Sequence, residues 1–143
     1  MFGFFKKNNK ENDNKNNELL LKTASLLIHA AKIDENYTDI EKSIIEETLL
    51  SLDSTNSNIK KIMIDAENIE KNSNQILDFT KEIKNADKSF KIKIFETLWK
   101  IIYSNQKVDM YESSLMRRLS GLLYIDNKLA GEIKERIINN QLK

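Results

Sequence analysis

The segment AKIDENYTDIEKSII, Ala31–Ile45, gathers the carboxylates of Asp34, Glu35, Asp39 and Glu41 with the Asn36 amide and the Thr38 hydroxyl between two apolar runs. Two kinds of chemistry use such a set. Alternate residues of a short loop, here Asp34, Asn36 and Thr38, can aim their oxygens at one point while Glu41 closes the shell from the next helical turn, and hard divalent cations are held in this way. Thr38 and Glu41, three residues apart, also have the spacing of a capping box, which satisfies the orphan N–H groups of a helix start. A calcium loop wants glycine at its sixth position and a bidentate glutamate at its twelfth, where this chain has Asp39 and Ile45. Residue chemistry therefore favours capping, with Asp34, Asn36 and Glu41 kept as a weak cation candidate. The segment YSNQKVDMYESSLM, Tyr103–Met116, repeats the arrangement with Asp109 and Glu112 as the capping pair.

Other chemistries find few residues to work with. The chain has no cysteine, which excludes thiol nucleophiles and thiolate metal sites and fits a reducing, cytoplasmic compartment. Its one histidine, His29, shares an expected polar helix face with Lys22, Ser25 and Lys32, and there it reads as a solvated side chain rather than a base or zinc ligand. No G-x-S-x-G elbow, cofactor motif or spaced acid–base pair occurs, so neither an enzyme nor a cofactor is expected. With 23 Lys and Arg against 22 Asp and Glu, the net charge is +1, and no overall field steers the chain to nucleic acid.

The elements that must position these residues are helical. There is no proline and there are only three glycines, too few for tight-turned β architecture. From Glu18 the apolar residues recur at helical spacing: Leu20, Ala24, Leu27 and Ala31 in one stripe, then Ile40, Ile44, Ile45, Leu49 and Leu50 behind Thr38. Ile59, Ile62, Met63, Ala66 and Ile69 mark a third helix, and Ile76, Phe79 and Ile83 a shorter fourth. The run FKIKIFETLWKIIYS is apolar nearly all round, so it reads as a central helix with Trp99 buried in it. Two further helices follow Asp109 and Asp126. The expectation is an all-α, single-domain bundle of about seven helices over residues 18–143, containing two pseudo-repeated helix-turn-helix units.

Residues 1–17 have a different composition. The Asn- and Lys-rich tract NNKENDNKNN buries too little apolar area to order itself, and a flexible tail is expected. Its opening MFGFFKK places Phe2, Phe4 and Phe5 beside Lys6 and Lys7, a combination that suits peripheral contact with an anionic membrane surface, here the inner face. No run approaches the roughly 20 apolar residues of a membrane span.

The two helix–acidic turn–capped helix units resemble the TerB-like domains, named for a tellurite-resistance protein, whose turn reads roughly A-D-G-x-[IVL]-[DS]-x-x-E. Residues 33–41 fill the first copy and residues 104–112 the second, and the likeness extends over about Leu19–Asn139, with LWKIIYSNQKVDMYESSLMRRLSGLLYID the nearest stretch. Both family glycines are replaced, by Glu35 and Gln106, and in the second copy Asn105 stands for the family's Asp while Lys107 adds a positive charge. The resemblance implies a helical, non-enzymatic module that meets a protein partner in a bacterial stress, tellurite-resistance-like or envelope-associated system, with divalent cation held weakly at the first turn. A membrane-surface adaptor acting through the Phe/Lys opening is the alternative, and a carboxylate-dependent enzyme the less favoured one.

Overall fold

A computed structural model describes residues 2–32, 37–54, 56–72, 77–104 and 110–141. Seven helices follow one another: α1 (Phe2–Ala31), α2 (Asp39–Leu52), α3 (Ile59–Asn72), α4 (Leu77–Ile83), α5 (Lys88–Ser104), α6 (Met110–Leu122) and α7 (Asn127–Gln141). Among the described residues there is no strand. The all-α expectation holds, and both acidic turns fall at helix-to-helix junctions, between α1 and α2 and between α5 and α6.

Two helices carry the core. α1 packs against α2, α3, α4 and α5, while α5 packs against α1, α2, α6 and α7, so their mutual contact joins the two halves of the bundle. The expectation of one central helix, α5, therefore needs correction. α1 is enclosed as well: Leu20 and Thr23 through Ile28 are all buried, as are Ala30 and Ala31. Ser25, expected on a polar face, is fully buried, and its hydroxyl donates to the Leu21 carbonyl at 2.8 Å. A helical wheel cannot register that α3 and α4 cover this side. Thr23 is likewise buried and donates to the Leu19 carbonyl at 2.7 Å, so neither hydroxyl stays unsatisfied.

α5 buries Ile94, Phe95, Thr97, Leu98, Trp99, Ile101 and Ile102, as its apolar circumference predicts. Each fully buried side chain of the Leu, Ile or Phe class contributes about 1.5–3 kcal/mol, so this helix and α1 dominate the stability of the bundle. Between α2 and α5 the hydroxyls of Thr48 and Thr97 meet at 2.9 Å, one donating to the other, which in turn donates to a carbonyl of its own helix. By contrast, Ile40 and Leu50, read from sequence with the apolar set of α2, lie on its outer side, Ile40 67% exposed.

α1 starts at Phe2, upstream of Glu18 where the sequence reading began the ordered chain and ended a flexible tail at residue 17. No proline interrupts this stretch, and extending a helix already held by packing requires propagation without a fresh nucleus. At its middle, Asn17 ties α1 to the loop before α3, its side-chain oxygen accepting from Asn56 Nδ2 at 2.7 Å.

Candidate functional site

The described end of the first acidic turn, from Thr38, is a helix cap. Thr38 has extended backbone, φ −91° and ψ 163°, and is the N-cap of α2. Its backbone N–H and its hydroxyl both donate to Glu41 Oε1 at 2.9 Å, and the Glu41 N–H donates back to Thr38 Oγ1 at 3.2 Å. The box is thus reciprocal, as the Thr-x-x-Glu spacing predicted. Glu41 is fully buried, so this carboxylate works away from water, where its hydrogen bonds are strong and their loss is costly. With two donors on Oε1, a cation at that atom would have to displace both.

The remaining sequence-predicted ligands, Asp34 and Asn36, lie outside the described residues, as do Asn105, Gln106, Lys107 and Asp109 of the second turn. Among the described residues no three His, Cys, Asp or Glu side chains gather into a group able to hold a metal ion.

Beside the cap, Tyr37 and Lys42 both reach Glu67 of α3. The Tyr37 hydroxyl donates to Glu67 Oε1 at 3.4 Å, and Lys42 Nζ lies 3.3 Å from the same oxygen. Burial, and then the Glu67 charge, push the Tyr37 hydroxyl well above the ordinary tyrosine range. Tyr37 therefore stays protonated as a donor and is not an acid or base near neutrality.

His29 is only partly solvated and, unlike the sequence expectation of a free polar-face side chain, is held by a carboxylate. It is 25% exposed, and its Nδ1 lies 3.4 Å from Glu70 Oε1, while Lys32 Nζ is 2.8 Å from Glu70 Oε2. The Phe79 ring of α4 stands 6.0 Å from the imidazole. Packing of α3 and α4 on α1 brings Glu70 and Phe79 over what the sequence showed as a polar stripe. A carboxylate-held imidazole is part of a base dyad in many enzymes, but here the carboxylate is also neutralised by Lys32. Among the described residues no nucleophile is bonded to the ring, so the trio ties the end of α1 to the end of α3.

Two open clefts border α1. One of about 360 Å³ is lined by Leu19, Leu20, Leu52 and Phe90 with Asp53, Asn85 and Asp87 at its polar side. A second, of about 230 Å³, lies between the middle of α1, at Asn17, Glu18 and Leu21, and α3 with the residue before it.

The junction of α6 and α7 breaks a local rule. The Tyr124 N–H bonds to the Gly121 carbonyl at 3.2 Å and the Ile125 N–H to the Ser120 carbonyl at 2.8 Å. This paired closure is a Schellman motif, whose turning residue must be left-handed and is usually glycine. Here that residue is Tyr124, with φ 58°. For a bulky side chain this conformation costs about 1–2 kcal/mol. Its ring is 67% exposed, with Lys84 Nζ 6.0 Å and Lys91 Nζ 5.9 Å from the ring centre. Lys91 also donates to the Lys84 carbonyl at 3.2 Å. Sequence reasoning missed this cluster; the available signal was a helix end, LLYID, without glycine or asparagine.

A family-level sequence model described as tellurite resistance protein TerB matches residues 20–135. No curated protein and no solved structure matches the chain.

Proposed function

The chain belongs to the TerB family, and from that premise we propose that it is a non-enzymatic module that docks a protein partner in a stress-response or envelope-associated system. The observation that supports this reading is the state of Glu41: the first turn's best-placed carboxylate is buried in a cap with Thr38 and serves the backbone. Divalent cation at Asp34, Asn36 and Glu41 is then weak, on the order of 10⁻⁴–10⁻³ M, because so few side-chain oxygens remain and water must complete the shell. Calorimetry with calcium, magnesium and manganese on the full chain and on Asp34→Ala tests the metal part. Sub-micromolar binding lost in that variant would overturn it. Purification of the full chain from its native cell, crosslinked beforehand, tests the partner part. A stoichiometric protein partner is expected, and a chain that stays alone when crosslinked would refute the reading.

A membrane-surface role has one observation in its favour. Phe2, Phe4, Phe5, Lys6 and Lys7 open a continuous helix, the backbone form in which interfacial anchors lie on a bilayer. No helix among the described residues is long and apolar enough to cross one. Co-sedimentation with anionic vesicles, with and without residues 1–17, separates this role from docking in solution.

A further inference from the structure

We infer that Tyr124 with Lys84 and Lys91 forms a docking site for a carboxylate-rich segment of a protein partner, at the corner where the α4–α5 turn meets the α6–α7 junction. The inference rests on the protein-docking reading and gives it a location and a ligand chemistry.

Three independent observations carry it. The first is the backbone. Tyr124 occupies a left-handed position that glycine fills without strain, yet Gly121 and Gly131 sit inside α6 and α7, and no described glycine has positive φ. A sequence that avoids glycine where the turn wants it retains the ring for some other purpose, and outliers of this kind gather at binding sites. The second is exposure. At 67% exposed the ring is not core, so packing does not account for its presence. The third is charge. Lys84 and Lys91 stand about equally far from the ring, at 6.0 and 5.9 Å, and Lys91 is fixed in place by its bond to the Lys84 carbonyl. An exposed tyrosine beside two ammonium groups offers a flat apolar anchor with a positive edge, which suits carboxylates flanking an apolar or aromatic residue.

Further lysines lie close to these residues in sequence. Lys88 and Lys128 lie exposed on the first turns of α5 and α7. Of the acids close to these lysines in sequence, Asp126 is engaged in capping α7 through its bond from the Leu129 N–H at 2.8 Å, Asp87 lines the neighbouring cleft, and Glu82 is exposed on α4. A nucleic acid is the poorer fit. Its affinity grows with the number of phosphates neutralised, and a chain of net charge +1 with one ring and a few lysines offers no continuous basic track.

The test uses the full chain, labelled for amide and lysine-side-chain NMR, titrated with a synthetic Asp/Glu-rich peptide carrying one aromatic residue. A Lys-rich peptide of equal length, oligothymidylate and inorganic phosphate serve as separate arms. The acidic peptide is expected to move the resonances of Tyr124, Lys84 and Lys91 and to bind at least about tenfold more weakly to Lys84→Gln/Lys91→Gln and to Tyr124→Gly. Tyr124→Gly is expected to melt about 1–4 °C higher, which separates lost binding from lost folding. No shifts with the acidic peptide, equal binding to Tyr124→Gly, or a response only to oligothymidylate or phosphate would each overturn the inference. A lower melting temperature for Tyr124→Gly would also do so, since the ring would then be structural. Crosslinked partner capture that survives in Tyr124→Gly would place docking elsewhere and leave the wider reading intact. Its absence from the unmodified chain would remove that reading too.

Discussion

The start of α2 and the end of α6 face the same physical demand, orphan backbone groups at a helix terminus, and meet it in opposite ways. At the first, every local choice agrees: Thr38 is extended, Glu41 stands three residues on, and the two exchange hydrogen bonds out of water. At the second, the backbone bonds are made but the residue at the bend is a tyrosine in a conformation that suits glycine. Agreement across levels marks a terminus that serves the fold. Disagreement marks a terminus where something besides stability decides the residue. The contrast also reverses the ranking that the sequence invites, in which the acidic turn attracts attention and the LLYID corner does not.

Mutation can break or sharpen this contrast. Glu41→Ala has the largest expected effect, a loss of about 2–3 kcal/mol, because it removes one half of the capping box and leaves the half-buried donors of Thr38 without their acceptor. Urea denaturation measures it, and Glu41→Gln, which can still close the box, should lose less. Thr38→Ala follows at about 1 kcal/mol, the same with or without chelator, since a cap needs no metal. A chelator-dependent loss would mean that the turn is a cation site after all. Tyr124→Gly should move the other way, gaining about 0.5–1 kcal/mol as relief of left-handed strain outweighs a surface cation–π contact. Tyr124→Ala keeps the strain and loses the ring, so it should be destabilised. If both variants lose stability equally, the two termini do not differ as described.

The smallest effect at neutral pH is expected for Tyr37→Phe, near zero, with a difference that develops only in alkali. The folded-state pKa of Tyr37 is raised above its ordinary value of 10.0. The native state therefore holds this proton more tightly than the unfolded chain, and the associated stability is present below pH 10 and declines as pH rises beyond it. Comparing the alkaline limbs of the two stability profiles checks the sign: the wild-type limb should fall more steeply. Parallel limbs would show that the Tyr37–Glu67 contact does not hold the proton.

Much of the fold was legible because helical periodicity and caps are local. The set of helices, the burial of Trp99 and the Thr38–Glu41 box all follow from residues within a few positions of one another. Ser25, His29, Ile40 and Leu50 were misread for one shared reason. A wheel gives the direction of a side chain but not which neighbour lies there, and α3 and α4 cover α1 while nothing described covers the outer side of α2. The Tyr124 cluster was illegible for a stronger version of the same reason, since Lys84 and Lys91 lie far from it in sequence and only the packing of α4 and α5 brings them near. For the cation candidate the limit was different: ligand types can be read from a string, but whether a carboxylate's lone pairs are already taken cannot.

Trp99 gives the bundle a built-in optical gauge. It is the chain's one tryptophan, 4% exposed, with the Tyr103 ring tilted against it at 5.6 Å and Lys134 of α7 held 5.1 Å over its ring. Its Nε1–H is buried without an acceptor among the described residues. An indole so enclosed should emit at shorter wavelength than one in water, and its colour should depend on whether α7 stays docked. Ile133→Asp, which places a charge on the buried side of α7, should shift the emission toward that of hydrated indole before far-UV dichroism records a matching loss of helix. One lamp on α5 would then report when the C-terminal helix lifts away, without any label attached.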